Sequence, residues 1–84
     1  MNLTYLETLL LREISLSKAE IFKDREPETV YINNNYTKQT ETLPIIIKFR
    51  EMGLIEQSFA DDNKEEYKIS ESGKNALVVS RLKN

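Results

Sequence analysis

Apolar residues recur at helical spacing near the start of the chain. Leu3, Leu6, Leu10 and Ile14 form one stripe, and Tyr5, Leu9 and Leu16 widen it toward a second face. A first helix is predicted there. Ser17 followed by Glu20 reads as a capping box, S-x-x-E, in which each side chain satisfies an orphan amide of the other's turn. It predicts a second helix that carries Ala19, Ile21 and Phe22. That helix stops before Pro27, because the residue ahead of a proline is pushed out of the helical region. From Glu28 to Tyr36 two readings stand side by side: Thr29 to Ile32 favour a strand by residue type, and a short helix through Val30 to Asn34 is the alternative.

A third helix is predicted behind Thr37, Thr40 or Thr42 as cap. Leu43, Ile46, Ile47 and Arg50 lie along one side of it, and Ile45, Phe49 and Met52 along another. Pro44 fits in its first turn, where a missing amide proton costs little, or else the helix kinks. Gly53 then supplies the left-handed stop. Ile55, Gln57 and Phe59 alternate with Glu56 and Ser58 as in a strand, and the charged run from Asp61 to Glu65 reads as a hairpin tip. Tyr67 and Ile69 give a second strand. Ser70 is the N-cap candidate for a last helix carrying Ala76, Leu77, Val79 and Leu82.

The chain has 84 residues, 39% of them hydrophobic and 31% charged, which suits one folded domain spanning 1–84. A domain of this size buries only about 60% of the surface its unfolded chain exposes, so a partner surface would help it. Its apolar runs are far shorter than the roughly 18 residues a membrane span needs, and no secretory signal is legible, so a cytoplasmic protein is expected.

Cysteine and histidine are both absent. Disulfides, thiolate metal sites and the commonest general base go with them, and no catalytic residue, metal ligand or cofactor is expected. Ser15-x-x-Lys18 has a spacing used by some acyl-transfer enzymes, but no companion motif or glycine-rich loop accompanies it. The acids of the hairpin tip lack the alternating spacing and central glycine of a calcium loop. Net charge is −2, so any contact with nucleic acid must come from a local patch rather than from bulk charge.

The most suggestive polar group is Tyr36, Thr37, Lys38, Gln39 and Thr40, at the start of the third predicted helix. Lysine and threonine bind phosphates, glutamine can bridge adenine, and the amides of a helix start attract a phosphate. The order of helices, then MGLI, strand, charged turn, strand and YKISESGKNAL resembles winged helix-turn-helix transcription regulators. The order resembles MarR-like and PadR-like repressors and the small archaeal winged-helix proteins in particular. The pattern runs from Thr37 to Leu77 and rests on Gly53, Leu54, Ile55, Tyr67, Ile69, Ser70, Glu71 and Gly73.

The resemblance implies a mainly α fold with a small β-hairpin (α+β): three N-terminal helices, a two-stranded wing and a C-terminal helix. It implies a base-reading segment at Thr37 to Glu41 and a wing tip at Asp61 to Lys64. Double-stranded DNA would then be met by Tyr36, Thr37, Lys38, Gln39, Thr40, Lys48, Asn63 and Lys64. The surplus apolar residues Leu9, Leu10, Leu11, Val78, Val79 and Leu82 point to a homodimer reading a palindrome. The alternative expectation is a protein-interaction module, an adaptor or antirepressor, motivated by the acidic balance and the acidic wing.

Overall fold

The computed structural model describes residues 3–23, 29–32, 35–36 and 39–82; its side-chain description omits residues 29, 35–36, 39–41 and 80–82. The elements run α1 (Tyr5–Leu16), β1 (Ala19–Phe22), β2 (Thr29–Ile32), β3 (Asn35–Tyr36), α2 (Gln39–Glu51), β4 (Ile55–Ala60), β5 (Lys64–Ile69) and α3 (Glu71–Leu82). The strands form one antiparallel sheet in the order β3-β2-β1-β5-β4.

Pleating sends alternate residues to opposite faces of the sheet. Ala19 pairs with Ile32 on one side and Tyr67 on the other, and Ile21 likewise with Val30 and Glu65. Ala19, Ile21, Val30, Ile32, Ile55 and Tyr67 are all buried, together with Leu11 and Ile14 of α1 and Ile46 and Phe49 of α2. Ala76 and Leu77 of α3 pack on the same cluster. The three helices therefore cover one face of the sheet. The domain has two layers and a core between them.

This corrects the expected fold. Among the described residues there are not three N-terminal helices and a two-stranded wing; the segment predicted as a second helix forms β1, the central strand. The reason is cross-strand pairing. In a strand Ala19 and Ile21 both reach the core while Glu20 points away toward Lys64, and the neighbours that reward this lie far along the chain. The ambiguous stretch resolves as strand at Thr29–Ile32. Among the described residues the elements directly before α2 in the chain are strands, so no helix leads into it by a short turn to complete a helix-turn-helix. The hairpin is present, but as one margin of a five-stranded sheet.

α1 begins at a capping box that pattern reading passed over, Thr4-x-x-Glu7: the Glu7 amide donates to Thr4 Oγ1 at 3.1 Å and the Thr4 amide to Glu7 Oε1 at 2.9 Å. Its buried stripe is Glu7, Leu11 and Ile14, with Leu3 and Leu10 beside it, whereas Leu6 is 45% exposed. α2 starts at Gln39, so Pro44 falls beyond the first turn, on an exposed position of the helix. The helix ends as expected at Gly53, with φ +74°, whose amide donates to the Arg50 carbonyl.

The turn after α2 is the seat of α3. Ser70 Oγ accepts from the Gly73 amide at 3.1 Å and itself donates to the Gly53 carbonyl, while the Ser70 amide donates to the Leu54 carbonyl at 3.0 Å. Ser70 is thus both the N-cap of α3 and the clip that holds it to the turn.

Candidate nucleic-acid and partner surfaces

The expected DNA-contact residues divide among three places. Tyr36 lies in β3 and pairs with Tyr31, while Thr37 and Lys38 lie outside the described residues. Gln39 and Thr40 open α2, with their side chains outside the description. Lys48, toward the other end of α2, donates to Glu7 Oε2 at 2.6 Å. Asn63 is in the β4–β5 turn, and Lys64 begins β5 with its side chain on the helix-free face of the sheet. Lys48 and Lys64 therefore sit in different layers and do not converge.

The hairpin tip is built from backbone bonds. Asp61 Oδ1 accepts from the amides of Asn63 and Lys64, both at 2.8 Å, and the Asp61 amide donates to the Lys64 carbonyl at 2.9 Å. Those two amides, that of Lys64 foremost, hold the Asp61 carboxyl below its usual range. The Asn63 carbonyl accepts from the Lys23 amide at 2.7 Å, which ties the tip to the end of β1.

Lys64 is heavily engaged. Its ammonium lies 3.2 Å from Glu20 Oε2 and 2.9 Å from Glu66 Oε2, and 5.8 Å from the ring centroids of both Phe22 and Phe59. Glu20 and Glu66 are directly opposed on β1 and β5, a placement that repels unless cations intervene. Lys64 meets them from one side, and Lys18 binds Glu66 Oε1 at 2.9 Å. The hydrogen bonds from Lys64 and then Lys18 lower the Glu66 carboxyl, while Glu66 and then Glu20 raise the Lys64 ammonium. Phe22 and Tyr31 stand edge to face beside this cluster, their centroids 5.3 Å apart.

Phe59 reaches the helix-free face through a bulge. Strict alternation from Ile55 would point Phe59 at the core, but the register shifts between Gln57 and Phe59, so Phe59 pairs with Glu66 and joins the opposite face, 45% exposed. The sequence pattern alone gives no sign of the extra residue.

A second polar chain crosses the helix-covered side. Tyr67, 2% exposed, donates its hydroxyl to Glu65 Oε1 at 2.7 Å and accepts from Arg50 Nη1 at 3.2 Å, and Lys23 reaches Glu65 at 3.4 Å. Burial first, and then the Glu65 bond, push the Tyr67 phenol up; the Tyr67 hydroxyl holds the Glu65 carboxyl down. Glu7, only 6% exposed, is likewise held low, chiefly by the Lys48 ammonium and then by the Thr4 amide.

The expected dimer residues fall on α1 and α3, which pack against each other. Leu9 is 36% exposed, Val78 54% and Val79 45%, and Tyr5, Leu6 and Leu16 add exposed apolar surface. Leu10 is half-buried against the core. Leu11 is fully buried within the chain and is withdrawn from any surface. The Leu82 side chain is outside the description. A shallow depression of ≈ 260 Å³, mostly apolar, lies on α3 between Ser72, Asn75, Ala76 and Val79.

No cluster of three or more acidic residues that could hold a metal ion, and no helix long and apolar enough to cross a membrane, occurs among the described residues. Comparison with known proteins finds no matching family model, curated protein or solved structure.

Proposed function

We propose that the protein is a small homodimeric DNA-binding transcription regulator that presents the start of α2 to the major groove. The observation that carries this reading is the course of the chain from Gln39 onward. The stretch that resembles the regulators folds as α2, a left-handed glycine stop, an antiparallel hairpin and a serine-capped α3, in that order. Thr37, Lys38, Gln39 and Thr40 are the proposed contacts, and the amides that open α2 suit a phosphate. The hairpin contributes little cation, since Asp61 and Asp62 lead its tip and Lys64 is held by two carboxylates. A second copy is proposed to cover Leu9, Val78 and Val79.

The test is fluorescence polarisation with labelled duplexes at low and moderate salt. Affinity should fall steeply as salt rises, because neutralised phosphates release counterions. Lys38→Glu should weaken binding at least tenfold. An unchanged affinity would remove the start of α2 from the interface, and no binding to any duplex at low salt would overturn the proposal.

A second reading, a protein-interaction module acting as an adaptor or antirepressor, is favoured by one specific observation. Lys18, Lys23, Lys48 and Lys64 are all paired with carboxylates of the same chain, while α1 and α3 expose apolar side chains. Paired cations offer little to phosphate; exposed apolar surface suits protein. Purified protein carrying one stoichiometric protein partner and no nucleic acid would favour it over DNA binding.

A further inference from the structure

We draw no further inference here: the strongest candidate, the helix-free face of the sheet where Phe22, Tyr31 and Phe59 stand beside the Lys64 ammonium and the opposed Glu20 and Glu66 carboxylates, carries none, because Lys64 and Lys18 already meet those carboxylates and nothing in the structure shows what covers the face.

Discussion

Gly73→Ala sets two effects of known size against each other. Gly73 is the third residue of α3, and alanine in a helix is favoured over glycine by about 1 kcal/mol. Against this, a Cβ at position 73 would lie 2.1 Å from the Leu54 carbonyl oxygen and 2.7 Å from Cγ1 of Ile69. The Leu54 oxygen cannot turn aside as a side chain could, and it also accepts the Ser70 amide. Either the turn or the first turn of α3 must shift. Overpacking of a tight contact costs about 1–3 kcal/mol, and a backbone obstacle places this case near the upper end. The net loss is then about 2 kcal/mol, or a fall in Tm of roughly 8–16 °C for a domain of this size. Gly53→Ala is the control. Nothing lies within 4 Å of a Cβ there, so only the left-handed φ of +74° is penalised, at about 1–2 kcal/mol. Thermal unfolding followed by far-ultraviolet circular dichroism measures both. A Gly73→Ala protein that unfolds at or above the wild-type temperature would refute the close approach of α3 to the turn.

The folded-state carboxyls of Glu7, Glu65, Glu66 and Asp61 lie below their unfolded values, about 4.3 for the glutamates and about 3.9 for the aspartate, so they contribute stability above those values and lose it as pH falls through the folded ones. Tm should hold from pH 7 to about 5 and drop below about 4.5; a flat profile down to pH 3 would contradict the pairings. Lys64 and Tyr67 are raised, so their contribution is present below about pH 10 and lost above it, and chemical denaturation at pH 9 and 11 should show the decline. Tyr67→Phe removes the hydroxyl that joins Arg50 to Glu65 and should cost about 1 kcal/mol in urea unfolding, with unchanged m-value; no loss would mean that water replaces it fully. If the proposed homodimer forms through α1 and α3, light scattering should show a dimer for the wild type and a folded monomer for Leu9→Glu combined with Val79→Glu; a wild-type monomer would refute the homodimer, and a dimer that survives both changes would refute this interface.

Local chemistry made the latter half of the chain legible. Gly53 announces its positive φ, Ser70 its cap, and the charged run its hairpin, because each of these depends on residues within a few positions. Ser17 to Phe22 misled for the same reason. The capping box is a local signal, whereas the pairing of Glu20 with Lys64 and of Ala19 with Tyr67 spans over half of the chain. Of the apolar stripe expected on α1, Leu3, Leu10 and Ile14 do face the core; Leu6 does not, and the buried place nearby goes to Glu7, whose carboxylate is met by the Lys48 ammonium and the Thr4 amide, a pairing that apolar periodicity does not register. The bulge that carries Phe59 to the other face leaves no compositional trace, since any small polar residue can occupy Ser58.

The same bulge bears on how the protein behaves among copies of itself. β4 is an outer strand of the sheet, and an outer strand offers unpaired amides and carbonyls to any passing extended chain. Continuous templating needs a regular row of such groups. The extra residue at Ser58 breaks the row midway, and Glu56 places a charge where an incoming strand would lie. An 84-residue chain with a small core spends part of its time partly open. A misaligned margin on β4 makes those openings less able to seed fibres, so the irregularity protects solubility at a cost in sheet regularity.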